Sequence, residues 1–439
     1  MIQRIRLTKL FGLYDYDIKF KEEPPVKLLT GPNGYGKTTL LMAVDHLYKG
    51  DFWYFHFMSF DSFIVTLPNQ EVEVQKINLR PEPLYEGSAV EETDTDVFEE
   101  AIILKDREGN EIERLLISEE YIQRLISSCR RRVSREPGIF KDEELIARYY
   151  ESLDDEYIQQ NCKNISLALQ EYDTRYLPAQ RIYNHGVSQF QPTYRPMREA
   201  YYEIDHVNDE ISRLYRRSQT TFAQASQKID ATFISRLVKR NDSYSKDELK
   251  AKLDTLEKRI DAYKVLNLIS DMEVLDYSLE DESSYEKLKT ALSLYVDDMN
   301  AKMDKFESLY QKISLYKRVV TSKVLSEKTI DFSEDGLTVT NVNKKVLRDL
   351  HKLSSGEQNL LILYYNLIFK SNSKTILLID EPENSLHVAW QERMLDDYIE
   401  MAKTTGCQIV MATHSPTFVH GRWDLATDLY RQYKGKDAE

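Results

Sequence analysis

The spacing of apolar residues changes several times along this chain, and each change marks a different kind of element. Met1-Ile2-Gln3-Arg4-Ile5-Arg6-Leu7 alternates polar and apolar positions, as a half-buried strand does. Val26 to Thr30 reads as a short apolar strand. Beyond a glycine-rich stretch, Leu40, Leu41, Val44, Leu47 and Tyr48 recur at helical spacing until Gly50 offers a stop. Further strands are expected over Asp17 to Phe20 and Ser62 to Ile77, with Glu71 to Ile77 alternating cleanly. From about Met197 to Leu325 the chain becomes polar, nearly free of glycine and helical in period. Ser245-Lys246-Asp247-Glu248 reads as a capping box before Leu249, Leu253, Leu256, Ile260 and Tyr263. Ser283 to Glu286 reads as a second, before Leu292, Val296, Met299, Met303, Phe306, Tyr310 and Ile313. Seams that alternate four and three residues predict that these two helices pack as an antiparallel hairpin or small bundle. Thr329 to Phe332 and Leu337 to Thr340 then flank Glu334-Asp335-Gly336 as a β-hairpin. Thr375 to Ile379 is continuously apolar, the pattern of a buried parallel strand. A helix with Trp390, Met394, Tyr398 and Ile399 follows, closing at Gly406, and the strand Gln408 to Thr413 comes next. That βαβ order predicts a parallel sheet.

The succession predicts an α/β fold: a parallel nucleotide-binding sheet with a β-rich lobe, interrupted by an inserted helical, coiled-coil-like arm. Residues 1–195 are assigned to the first part of the head, 196–325 to the arm and 326–439 to the second part of the head. Composition narrows the class. A length of 439 residues, 41% hydrophobic and 30% charged, describes an acidic chain with ample material for a core, net charge −14. The acidic total argues against a surface devoted to nucleic acid, although Arg124, Arg130, Arg131, Arg132 and Arg135 form a dense basic cluster. Glu86 to Glu100 reads as a solvated acidic loop. Cys129, Cys162 and Cys407 are odd in number and in no metal spacing, which implies a reducing compartment and no zinc site. The N-terminus lacks the long apolar region of a signal peptide. The run Leu360 to Phe369 falls short of the roughly 20 residues of a bilayer span. A cytoplasmic protein with no membrane partner is expected.

The chemistry lies where the periods break. Gly31-Pro-Asn-Gly-Tyr-Gly-Lys-Thr-Thr39, between a strand and a helix, has the spacing of a phosphate-binding loop. That spacing predicts a nucleoside triphosphate as the ligand. The N–H groups of Asn33, Gly34, Tyr35, Gly36, Lys37, Thr38 and Thr39 would ring the β-phosphate at the positive end of the helix. Lys37 would bridge the β- and γ-phosphates, and the Thr38 hydroxyl would hold Mg2+. The apolar run that ends in Asp380-Glu381 delivers two carboxylates to one sheet edge, Asp380 for the Mg2+ shell and Glu381 to polarise the attacking water. His414 ends the next strand and faces the same phosphates. Ser354, Ser355 and Gly356 open the helix that runs to about Phe369, either as a cap or as a second anion site.

Taken together, Gly31 to Thr39, Leu353 to Gln358, Ile379 to His387 and Ala412 to Pro416 resemble the motif set of the ATP-binding-cassette (ABC) ATPases, specifically their soluble OLD, RecF and SMC-like branch. The resemblance implies ATP and Mg2+ as cofactors. It also implies that Ser354, Ser355 and Gly356 cap the ATP held by a second subunit, so that sites form in a homodimer or higher homo-oligomer. Asn384-Ser385-Leu386-His387 would be the D-loop at that interface, and Gln180 the Q-loop residue sensing Mg2+, with Gln75, which also follows a strand, as the other candidate. Lys9-Leu10-Phe11-Gly12 departs from the Asn-Phe-Arg-type sequence often found in relatives. The motif set looks most like the ATPase subunits of anti-phage systems such as PARIS and Septu and the ATPase half of OLD nucleases. OLD proteins carry a Toprim nuclease after this head, whereas 25 residues follow His414 here. A separate effector protein, such as a nuclease, is therefore expected. The alternatives are a RecF-like repair ATPase that clamps DNA and, less in keeping with the inserted arm, the nucleotide-binding subunit of a transporter.

Overall fold

A computed structural model of the protein describes residues 1–78, 98–133, 141–150, 156–179, 203–269, 282–323, 328–341, 346–347, 349–384 and 388–434. The chain forms two compact units, Met1–Ala200 with Lys370–Glu439, and Tyr201–Phe369. Residues 326–369, assigned from the sequence to the second part of the head, cluster with the long helices in this division.

The first unit contains β1 (Arg4–Leu10), β2 (Tyr14–Lys19), β3 (Val26–Thr30), β4 (Ser62–Thr66), β5 (Gln70–Asn78), β6 (Phe98–Asp106), β7 (Glu111–Ile117) and β8 (Asp173–Leu177). The second unit holds β9 (Lys328–Ser333), β10 (Gly336–Asn341) and β11 (Val346–Leu347), after which β12 (Thr375–Asp380), β13 (Gln408–Thr413) and β14 (Ala426–Asp428) return to the first. Five strands form a parallel sheet in the order β14-β3-β13-β12-β8. Every residue of β12 and β13 is buried, as strands covered on both faces require, which is why they read as unbroken apolar runs. Pairing of Thr30 with Thr413 and of Asp380 with Ala412 aligns the C-terminal ends of β3, β13 and β12 along one edge. In open parallel sheets that edge is where ligands bind.

The antiparallel lobe has the order β2-β1-β4-β5-β6-β7. Val72 and Val74 of the alternating segment are buried, as expected, and join Ile5, Phe63 and Ile102 in one core with Leu40 and Val44 of the helix Lys37–Lys49 and with Ile376 and Leu378 of β12. Burial of each such side chain stabilises by about 1.5–3 kcal/mol. The helix stops at Gly50, whose φ of 78° makes it a left-handed cap. The expected acidic loop is corrected at its end. Residues 79–97 lie outside the described residues, but Glu99 and Glu100 belong to β6, and Glu100 is fully buried beside His56 Nδ1 (3.2 Å) and Lys76 Nζ (3.6 Å). Pairing, not solvation, accommodates that charge.

In the second unit, Ser245 caps the helix Lys246–Val265 through a complete capping box with Glu248, and the five apolar positions of its seam are all buried. Ser283 falls inside the helix Glu282–Lys323 rather than before it. Six of the seven seam residues from Leu292 to Ile313 are buried, and Tyr310 is half-buried. The direction of packing differs from the hairpin expected. Tyr285 donates to the Tyr244 carbonyl at 2.8 Å, and further along both helices Tyr263 donates to Glu307 at 2.6 Å, so Lys246–Val265 and Glu282–Lys323 run parallel. The antiparallel neighbour of Glu282–Lys323 is Glu203–Lys239, joined to it through Arg240 and Asp297 (2.8 Å) and the tilted ring pair of Phe222 and Phe306 (4.9 Å). The small bundle stands; the two-helix hairpin does not. β9 and β10 form the expected hairpin, with Leu337 opposite Phe332 and Gly336, at φ 100°, opening β10 directly after the turn.

Candidate functional site

The loop between β3 and the helix Lys37–Lys49 is exposed at Asn33, Gly34 and Thr38, half-buried at Thr39, and buried at Gly36 and Lys37. Because the helix begins at Lys37, the N–H groups of its first turn have no intrahelical acceptor and face outward with the positive end of the dipole. Gly36 has φ 76°, and a Cβ there would lie 2.3 Å from Leu10 Cδ2. Gly36→Ala is therefore expected to lower both ATP binding and the melting temperature, by roughly 1–3 kcal/mol of strain. An unchanged thermal melt together with unchanged nucleotide titration would rule this reading out.

Tyr35 contributes differently from its neighbours. Its carbonyl accepts from the Tyr16 hydroxyl at 2.8 Å, and its ring packs against Tyr14 (5.1 Å) and Tyr430 (5.5 Å). The loop thus rests on tyrosines from β2 and from the C-terminal helix Leu429–Lys434.

Five residues chosen from the sequence come together at the sheet edge. Lys37 is 5% exposed, and its Nζ donates to the carbonyls of Gly31 and Pro32, both at 2.9 Å, and lies 3.4 Å from His414 Nδ1. Burial lowers its pKa below the ordinary lysine value, opposed by the charges of Asp380, Glu381 and Glu383. Thr38 Oγ1 donates to Asp380 Oδ2 at 2.9 Å. Glu381 carries φ 44°, a left-handed conformation that costs a non-glycine residue about 1–3 kcal/mol, and it brings Oε1 to 3.8 Å from His414 Nε2. Strain of this kind is held where neighbours over-determine the backbone, and here Glu381 N–H donates to the Ala412 carbonyl at 2.9 Å.

The residues present fit both expected cofactors. A buried ammonium folded onto its own loop carbonyls, with free helical N–H groups beside it, is a cradle for polyphosphate. Thr38 and Asp380 are hard oxygen donors in mutual contact, the small protein share that Mg2+ takes when phosphates and waters complete its shell. Among the described residues no group of three or more His, Cys, Asp or Glu side chains could hold a metal alone. The comparison with known families agrees with this chemistry. Residues 1–419 match the AAA ATPase domain.

The chain belongs to the AAA ATPase domain family. Its nucleotide is accordingly ATP, and its general activity is that of an ATPase. No curated protein matches this AAA ATPase. Similar solved structures include the Smc head domain of Pyrococcus furiosus, with an extended coiled coil and bound to the C-terminal domain of ScpA (14% identity, 95% of this chain and 90% of that one, TM-score 0.35). The SMC head domain of Thermotoga maritima is another (10% identity, 97% and 92%, TM-score 0.33).

The remaining sequence candidates of the AAA ATPase belong to the second unit, make other contacts or lie outside the described residues. Ser354, Ser355 and Gly356 belong to the second unit. Ser354 forms a capping box with Glu357, donating to it through N–H (2.8 Å) and Oγ (2.9 Å), while Ser354 and Ser355 stay exposed and Gly356 is buried at the start of the helix Ser355–Phe369. The cap is thus present, and it leaves the serines accessible. Gln180 and Ser385-Leu386-His387 lie outside the described residues, whereas Asn384 Nδ2 donates to the Ala179 carbonyl at 3.2 Å. Within the basic cluster, Arg124 pairs with Glu120 (2.9 Å) and Arg130 with Asp142 (2.6 Å), and the Arg132 and Arg135 side chains are outside the described residues. No described helix is long and apolar enough to cross a membrane. Two residues at the edge escaped the sequence reading. Tyr176 reaches Asp380 Oδ2 at 3.4 Å because β8 pairs in parallel with β12, and Glu383 contacts the end of β13. A third acid in Asp380-Glu381-Pro382-Glu383 was the one available signal.

Proposed function

We propose that this protein is an ABC-type, Mg2+-dependent ATPase whose ATP-joined heads act as a sensor or scaffold for a separate effector in bacterial anti-phage defence. The observation that carries the reading is the meeting of Lys37, Thr38, Asp380, Glu381 and His414 at one sheet edge, while the exposed Ser354 and Ser355 belong to a different unit. In this proposal the loop N–H groups and Lys37 bind the β- and γ-phosphates. Thr38 and Asp380 hold Mg2+, which when bound neutralises charge on the phosphate oxygens. Glu381 accepts the proton of the attacking water, and His414 contacts the γ-phosphate. Ser354 to Gly356 of a second copy close the site, so that ATP binding and head association are one event. The defence role is supported by the likeness of Leu353 to Gln358, Ile379 to His387 and Ala412 to Pro416 to the matching segments of the ATPases of such systems.

The DNA-clamping alternative is favoured by one observation. Arg213, Arg216, Arg217, Lys228 and Lys239 are exposed along Glu203–Lys239, and Asp230 on the same helix is drawn off by Lys302 (2.7 Å). Mass photometry of the wild-type protein tests both readings. A larger oligomer is expected with ATP and Mg2+ than without nucleotide, and identical distributions would sink ATP-gated association. Growth only when duplex DNA is added with ATP would favour the clamp.

A further inference from the structure

The turn that follows Glu381 contains a carboxylate with no part in the mechanism above. Asn384 N–H donates to the Glu381 carbonyl at 3.0 Å, which curls residues 381–384 back toward the end of β13. There a single oxygen of Glu383, Oε1, accepts from Thr413 Oγ1 (2.6 Å), His414 N–H (3.1 Å) and Ser415 N–H (3.2 Å). Thr413 Oγ1 in turn accepts from Ser415 N–H at 3.0 Å, so the three residues are tied to one another as well as to Glu383. The other oxygen, Oε2, is buried and has no hydrogen-bond partner among the described residues. A buried oxygen left without a partner costs about 1–3 kcal/mol, so fold stability alone gives poor reason to keep a glutamate here.

The consequence concerns two groups on separate strands. Glu381 leaves β12 and His414 leaves β13, and their side chains meet at 3.8 Å with Lys37 on the far side of the imidazole at 3.4 Å. One brace between the strand ends is the bond from Glu381 N–H to the Ala412 carbonyl, and it stops short of His414. Glu383 supplies the next, by fixing the backbone from 413 to 415. We propose that Glu383 is a positioning residue that sets the His414 imidazole against Glu381 and Lys37, so that its loss slows turnover without weakening ATP binding. The inference rests on the proposed roles of Glu381 and His414 toward ATP.

Steady-state kinetics on the full chain test it. Glu383→Ala removes the shared acceptor, and a misplacement of about 1 Å at a reacting group lowers rate on the order of 100-fold. We expect kcat to fall by roughly that factor while KM for ATP changes less than about twofold. Glu383→Gln retains an oxygen acceptor at full reach and should stay within about threefold of wild type. Glu383→Asp keeps the charge but loses reach; it should be slow even if the alanine variant fails to fold. A merely structural role would reduce active protein and leave kcat per folded molecule intact, or shift kcat and KM together. The double variant Glu383→Ala/His414→Ala should be no slower than His414→Ala, because residues acting as a unit are not additive. Losses that multiply would overturn the proposal, as would a slow Glu383→Gln or a fast Glu383→Asp. Failure of the underlying reading looks different: His414→Ala would then turn over ATP at the wild-type rate.

Discussion

Glu381→Gln is expected to reduce ATP turnover by about 100- to 10,000-fold while ATP still binds, the range associated with losing a positioned general base. The substitution preserves size and leaves the backbone bond to Ala412 in place, so the left-handed turn at φ 44° has no new reason to relax. What disappears is the proposed proton acceptor. Since Thr38, Asp380 and Lys37 are untouched, the nucleotide should remain bound and unreacted, and the ATP-joined assembly should persist after free ATP is removed. Phosphate release measured under single-turnover conditions, with mass photometry after desalting, gives both halves of the result. Turnover at the wild-type rate would transfer the role of base to another group. A slow variant that disperses as fast as wild type would separate hydrolysis from disassembly.

How much of this site could be read in advance depends on how local its causes are. The phosphate loop and the Asp380-Glu381 pair were legible because each is a contiguous segment between elements of clear period, and burial on both faces makes β12 an unbroken apolar run. The capping box at Ser245 and the stop at Gly50 are local for the same reason. Helix direction was not legible. A seam of alternating threes and fours states which face of Lys246–Val265 is buried but carries no polarity, and the parallel arrangement emerges only from contacts such as Tyr285 with Tyr244. Glu100 was misjudged because the partners that permit its burial, His56 and Lys76, come from other elements. Tyr176 and Glu383 share that difficulty. Leu378 stands beside Tyr176 by sheet register, and neither that pairing nor the reach of Glu383 to Thr413 follows from spacing along the chain.

Lys37→Ala should abolish measurable ATP binding, with affinity falling at least on the order of 100-fold. Each hydrogen bond between an ammonium and a charged acceptor contributes roughly 1.5–3 kcal/mol, and two such bonds lost to the β- and γ-phosphates account for a factor of that size. The structure adds a second reason. The ammonium also donates to the carbonyls of Gly31 and Pro32 at 2.9 Å, so its removal leaves two loop acceptors without the donor that orders them. The loop should then lose definition between two rigid neighbours, β3 and the helix Lys37–Lys49, rather than unfold. Circular dichroism is expected to change little while calorimetric titration of ATP loses its signal. Lys37→Arg separates the two causes. It restores positive charge but presents a planar fork in place of a compact ammonium, and the 5% exposure of Lys37 indicates little room for the larger group. Arginine should therefore recover binding poorly. An unchanged dissociation constant in Lys37→Ala would show that the nucleotide sits elsewhere and would remove the basis for the assignments to Thr38, Asp380 and His414.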